Sequence, residues 1–161
     1  MKRAGLRLES VAMRQDETAL VREALRQAQE RLERGQAVLP AAYMLVRINP
    51  QTGAALTHPT AVGLTCDGPF ESPEAYHEFV ASVREEARRL QASAVAISGE
   101  AEAEIEGAGE LQRVFYMRVE DADGVHHLHA AIEAGGKLGA LYDAGAAEDD
   151  LVEPLLPRAL H

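Results

Sequence analysis

The stretch LQRVFYMRVEDADGVHHLHAAIE, residues 111–133, has the pattern of two β-strands on either side of a turn. In its first part the side chains alternate with a period of two, so Val114, Tyr116 and Arg118 point to one side of a strand. The DADG segment at 121–124 has the composition of a tight turn, and the chain returns over residues 124–133. The stretch therefore predicts a β-hairpin.

The returning strand contains three of the six histidines of the chain, His126, His127 and His129. Alternation places His127 and His129 on one face and His126 on the other. An H-x-H pair can supply two imidazole ligands to zinc or another divalent metal, with Asp121 as a third ligand or a general base, as in a metal-dependent hydrolase. The alternative is that the pair lines the solvent face of an edge strand. The sequence favours this second interpretation, because it contains no HExxH or CxxC motif.

Two segments upstream have the three- and four-residue spacing of apolar side chains that is typical of amphipathic helices. The first begins near Asp16, a capping residue, and ends at Gly35, where a C-cap glycine belongs. The second opens with Ser72 as N-cap and Pro73 at the first helical position, and it ends near Gln91.

Further strands are predicted between and after these helices. The apolar run AAYMLVRI at 41–48 has strand length, and NPQTG is a turn. The next segment contains Pro59, so it is either a bulged edge strand or a loop that leads into a strand at 61–66. Residues 93–105 then predict another strand, SAVAISGEAEAEI.

An acidic run in that last strand alternates Glu with Ala. On a strand this pattern places the carboxylates on one face: Glu100, Glu102, Glu104 and Glu106. We interpret the run as a solvated edge that deters sheet-to-sheet aggregation. Binding of a cation or a basic partner is the alternative.

The elements predict an α+β fold in the order α-β-β-α-β-β-β. The simplest architecture is a single sheet of about five strands with both helices packed on one face. Residues 1–14 are predicted as an N-terminal arm, residues 15–133 as the domain, and residues 134–161 as a partly ordered C-terminal tail.

Composition restricts the classes of function. The net charge is −10, which disfavours nucleic-acid binding, and aromatic residues are 4% of the chain. Cys66 is the single cysteine, so no internal disulfide can form, and we interpret it as a buried strand residue. No apolar stretch has the length of a membrane span. These features predict a cytoplasmic protein that binds neither nucleic acid nor membrane.

The second half resembles a group of small uncharacterised bacterial α+β proteins that have no assigned activity. The matching residues are Ala92, Ala94, Val95, Ala96, Ile97, Ser98 and Glu100, followed by Val114, Val119, Glu120, Asp121, Asp123 and Gly124. Members of the group commonly have Glu directly after Ser, whereas Gly99 separates the two here. The order of elements is also similar to that of roadblock and longin domains, which implies a dimerising platform for small GTPases and motors.

These observations predict a non-enzymatic protein-interaction module that forms a homodimer and contacts a further, unidentified protein, with no cofactor. The alternative function is the metal-dependent hydrolase that uses His127 and His129.

Overall fold

The structure is a computed structural model that describes residues 15–104, 111–122 and 124–143. Its elements are α1 (Gln15–Glu33), β1 (Ala41–Ile48), β2 (Ala55–Thr65), α2 (Pro73–Leu90), β3 (Ala94–Glu104), β4 (Leu111–Asp121), β5 (Gly124–Glu133), β6 (Lys137–Leu138) and β7 (Tyr142–Asp143). The predicted α+β class is confirmed. The predicted arm at 1–14 and the tail beyond 143 lie outside the described residues.

The strands form one antiparallel sheet in the order β2-β1-β3-β4-β5-β6, and β7 also pairs with β5. The prediction of about five strands, and the predicted order of elements, therefore omitted two strands after β5. The short strands β6 and β7 were missed because a two-residue strand carries no periodic pattern. The 111–133 hairpin is present as β4 and β5, with Met117 opposite Leu128.

The two helices lie on opposite faces of the sheet, so the prediction of both helices on one face was wrong. Tyr43 and Leu45 of β1 belong to the apolar cluster under α1, whereas Ala42 and Met44 of the same strand belong to the cluster under α2. The α1 cluster extends over β1, β3, β4 and β5. The α2 cluster extends over β1, β2 and β3.

The sequence contains the signal for this arrangement. Residues 41–46 of β1 form a continuous apolar run, and all six are buried. A strand that faces water on one side alternates apolar and polar residues, whereas a continuous run is typical of a strand that is covered on both faces. The run at 41–46 therefore indicates cover on both faces, and α1 and α2 supply it.

Gly35 and Ser72 mark helix termini, as the sequence predicts. Gly35 adopts φ +72°, and the next residue closes the α1 terminus, with Gln36 N–H donating to the Arg31 carbonyl at 2.9 Å. At the start of α2, the Ser72 hydroxyl accepts a hydrogen bond from Ala75 N–H at 3.1 Å. These caps fix where each helix begins or ends, and thus how it lies on the sheet.

We expect Gly136→Ala to destabilise the fold strongly. Gly136 follows β5 with φ +79°, and a Cβ there would lie 2.8 Å from the Leu32 carbonyl oxygen at the end of α1. Left-handed strain costs about 1–2 kcal/mol, and forcing the two backbones apart adds about 1–3 kcal/mol. Urea unfolding measures the sum.

The neighbouring Gly135→Ala is the matched control. Gly135 has φ +86°, but a Cβ there meets nothing within 4 Å. The control should therefore lose only the conformational part, about 1–2 kcal/mol. Equal losses in the two variants would show that the contact between this turn and α1 does not contribute to stability.

Candidate functional site

Five polar residues of β4 and β5 lie on the face of the sheet that carries α2. Val95 and Ile97 of β3 belong to the α2 cluster, and their direct partners on β4 are Glu120 and Arg118. Directly opposed residues of antiparallel strands point to the same face, so these charges lie on the α2 side. We call this surface the polar patch, and it consists of Tyr116, Arg118, Glu120, His127 and His129.

A buried ion pair lies at the centre of the polar patch. Arg118 Nη2 donates to Glu120 Oε1 at 3.2 Å, and the two side chains are 10% and 5% exposed. Removing one partner from a buried ion pair costs about 3–5 kcal/mol, because the remaining charge then lies in a low-dielectric environment. The pair therefore neutralises both charges inside the fold.

The two histidines occupy adjacent positions of the patch, as the alternation predicts. His127 lies directly opposite Arg118, and His129 lies opposite Tyr116. Both histidines are half-buried. The histidine pair therefore lies on the same face as the Arg118–Glu120 ion pair and beside it.

The structure does not bring Asp121 to the histidine pair. Asp121 lies opposite Ala94, which belongs to the cluster under α1, so its position is on the other face of the sheet. Its Oδ1 accepts a hydrogen bond from Gly124 N–H at 3.2 Å, within the β4–β5 turn. Within the described residues no three His, Cys, Asp or Glu side chains are grouped to hold a metal ion. Zinc binding by His127 and His129 therefore stays a prediction. Asp121 does not lie where it could be their third ligand.

Tyr116 lies over Gly99 of β3, its direct neighbour in the sheet. A Cβ at Gly99 would lie 2.7 Å from the Tyr116 hydroxyl and 3.0 Å from Cζ, so the ring takes the space that a side chain would occupy. Burial, with smaller contributions from Tyr76 and Cys66, raises the pKa of Tyr116 to about 12. At neutral pH the phenol therefore stays protonated.

Cys66 directly follows β2 and lies near enough to Tyr116 to affect the pKa of that phenol. Its N–H donates to the Pro40 carbonyl at 2.9 Å, and its side chain is half-buried. Burial raises the pKa of the thiol, and the carboxylate of Asp67 raises it further. Since the thiolate is the nucleophilic form, this environment makes Cys66 a poor nucleophile at neutral pH.

The acidic run was interpreted as a solvated edge, and for Glu100 that interpretation is wrong. β3 lies between β1 and β4, and the Glu100 carboxylate accepts hydrogen bonds from Arg113 Nε at 2.6 Å and Nη2 at 2.8 Å. It also accepts one from Val38 N–H at 3.1 Å. Glu100 thus links β4 to the segment before β1. Glu102 is exposed as predicted, and Glu106 lies outside the described residues.

An open groove of about 610 Å³ lies where the β1–β2 turn approaches the end of α2. It is lined by Val46, Ile48, Asn49, Pro50, Gln51, Leu56, Thr60, Val62, Arg89 and Leu90. Most of these side chains are apolar, and Arg89 is paired with Glu86. The α2 side of β2 therefore offers apolar surface that the protomer itself does not fully cover.

Two features of the site were missed in the sequence although signals for them exist. A glycine inside a strand, such as Gly99, indicates a close approach by another group, and here that group is Tyr116. Opposite charges two residues apart in a strand, as in Arg118 and Glu120, indicate a same-face pair. Neither signal identifies its partner without the sheet register.

Comparison with known proteins identifies no relative of the chain. It matches no protein-family model, no curated protein and no solved structure. The resemblances drawn from the second half and from the order of elements therefore stay predictions. In the described part of the chain, no helix has the length and apolar character needed to cross a membrane.

We expect Glu100→Gln to reduce stability in a pH-dependent way. Hydrogen bonds from Arg113, and then from the Val38 N–H, hold the pKa of Glu100 below its ordinary value of 4.5. A carboxylate with a lowered pKa stabilises the fold above its unfolded pKa, and this contribution is lost as the pH falls through the folded pKa. The variant should lose about 1–2 kcal/mol at pH 7, since Arg113 is partly screened by solvent.

Urea unfolding of wild type and variant at pH 7 and at several values below 4.5 measures this difference, which should shrink as the pH falls. Glu78→Gln, at an exposed position of α2, is the control and should change stability little at any pH. A difference that is constant with pH would contradict the assigned role of the Glu100 carboxylate.

Proposed function

We propose that the protein is a non-enzymatic α+β module that acts through protein–protein contacts and forms a homodimer. The observation that carries the proposal is strand β2. It has 11 residues, most of them exposed, and within the described residues it pairs only with β1. An unpaired strand edge exposes a row of N–H and C=O groups to which another strand can bind.

The composition of β2 supports self-association. Its sequence, ALTHPTAVGLT, contains no Asp, Glu, Lys or Arg, whereas the whole chain has a net charge of −10. Two copies with this charge repel each other overall, so contact is least unfavourable where the surface is uncharged. Edge strands that remain unpaired are usually protected by charged side chains, especially lysine, or by proline, and residues 60–65 of β2 contain neither.

The polar patch supports the non-enzymatic part of the proposal. A general base or nucleophile needs a pKa near the working pH, or a neighbour that activates it. The pKa of Tyr116 is about 12, and burial raises the pKa of the Cys66 thiol as well. The charges of Arg118 and Glu120 neutralise each other in the interior. These groups are therefore poorly suited to proton transfer or nucleophilic attack.

We expect size-exclusion chromatography with light scattering to give a mass near twice the 17.4 kDa of one chain. Because each copy carries a charge of −10, salt should screen the repulsion and strengthen the dimer. Sedimentation equilibrium at low and high NaCl measures this dependence. A chain that stays monomeric at concentrations on the order of 100 μM in both salts would rule out the homodimer.

Metal analysis of the purified protein tests the non-enzymatic part separately. Zinc near one equivalent per chain, lost in the His127→Ala/His129→Ala double variant, would favour the hydrolase instead. Under the proposal, zinc is far below stoichiometric, and the double variant does not change the metal content.

A further inference from the structure

We infer that β2 pairs antiparallel with β2 of a second copy, about a two-fold axis at Gly63, so that two sheets become one continuous sheet. This inference rests on the proposed homodimer and adds to it the surface, the register and the residues that form the contact.

The hydrogen bonds of the β1–β2 pair show which groups of β2 face outward. Cys66 N–H donates to the Pro40 carbonyl, so these two residues form a hydrogen-bonded pair. Such pairs recur at every second residue of an antiparallel ladder. In the regular register from 60 to 65, the even-numbered residues therefore bond to β1. The N–H and C=O groups of Ala61, Gly63 and Thr65 point away from β1, to the edge that no other described strand pairs with.

These three outward-facing residues define a self-complementary register. With Gly63 opposite Gly63 of the second copy, Ala61 lies opposite Thr65, and every outward N–H on one copy meets a carbonyl on the other. Extending the register by two residues would place Pro59 opposite Asp67. Pro59 has no N–H to donate, and Asp67 lies beyond the end of β2. The pairing therefore has natural limits at residues 61 and 65.

The Gly63 axis is the one that pairs Ala61, Gly63 and Thr65 entirely with one another. An axis at Ala61 places Pro59 opposite Gly63, so that pair lacks one donor. An axis at Thr65 moves most of the pairing past the end of the strand at residue 65. Gly63 is the centre that uses all the outward groups.

The side chains around the edge also fit a second copy. The outward-facing residues have small side chains or none, so nothing large blocks the approach of another strand. On the α2 side, the apolar side chains that are only partly buried include Leu56, Val62, Leu64, Tyr76 and Phe79. All of these belong to β2, the edge strand, or to α2, which packs on the same face of the sheet. A second copy would cover apolar surface there in addition to making backbone hydrogen bonds.

The first test compares Gly63→Glu with Gly63→Gln. A Cβ at Gly63 would lie 3.5 Å from two ring carbons of Tyr43, which is ordinary contact, so both side chains are tolerated in the protomer. In the inferred register the two glutamates lie directly opposite each other, and like charges in that position repel. We expect Gly63→Glu to raise the dimer Kd about tenfold or more, and Gly63→Gln to change it less than about threefold.

Sedimentation velocity measures the two Kd values, and urea unfolding confirms that both variants fold. Equal Kd values for Gly63→Glu and wild type, in a protein that does form dimers, would overturn the inferred interface. The proposed homodimer would still stand in that case. A wild-type chain that is monomeric throughout would overturn the proposed function itself.

The second test is a disulfide cross-link in a Cys66→Ser background. In the inferred register the two Gly63 Cα atoms lie about 5.5 Å apart, within the range of about 4.4–6.8 Å that a disulfide spans. We expect Gly63→Cys to give a covalent dimer under mild oxidation, seen on a non-reducing gel. Thr57→Cys is the control, because its two copies would lie about 40 Å apart at about 3.4 Å per residue. Equal cross-linking at both positions would overturn the register.

Discussion

Residues 41–46 of β1 are buried without interruption, and residues 94–99 of β3 lie beside them and are equally buried. Strands in this position need cover on both faces, since exposing either face would leave Val, Leu or Ile side chains in water. This two-sided burial determines the rest of the architecture. α1 covers one face from β1 across to β5, and α2 covers the other from β2 to β3. On the α2 face, β4 and β5 lie beyond the α2 cluster, and there the polar patch replaces apolar residues.

Charge has three different roles in the described part of the chain. On the helices, ion pairs such as Arg26 with Glu30 at 2.7 Å are solvent-exposed, and pairs of this kind contribute little to stability. Glu100 has a stronger role, because Arg113 holds it with two hydrogen bonds while a backbone N–H adds a third. Arg118 and Glu120 are buried together, where each prevents the other from remaining as an uncompensated charge. The burial of each group, more than the number of ion pairs, therefore decides which charges matter to the fold.

Local rules predicted the features that depend only on neighbouring residues. Ser72 and Gly35 mark helix ends because their capping geometry is local. Alternation likewise placed His127 and His129 on one face. The error at Glu100 depends on strand order, which places β3 between β1 and β4. The error in helix placement does not, because the continuous apolar run at 41–46 already indicates cover on both faces. Asp121 was grouped with the histidines because it is close in sequence, but the pleat of the sheet places it on the other face. The Gly99–Tyr116 contact also needed the register, since 17 positions separate the two residues along the chain.

The two outer edges of the sheet are protected to different extents against pairing with another strand. This difference affects which assemblies the sheet allows. Along β5, the outer edge is partly occupied: β6 pairs at Ile132 and Glu133, and β7 pairs at Leu128 and His129. At the other end β2 has no such cover within the described residues. A sheet with two open edges can add copies without limit, whereas a sheet with one open edge is complete once two copies are joined by a two-fold axis. In the proposed homodimer, β6 and β7 would therefore hinder the addition of further copies along β5, although each is only two residues long.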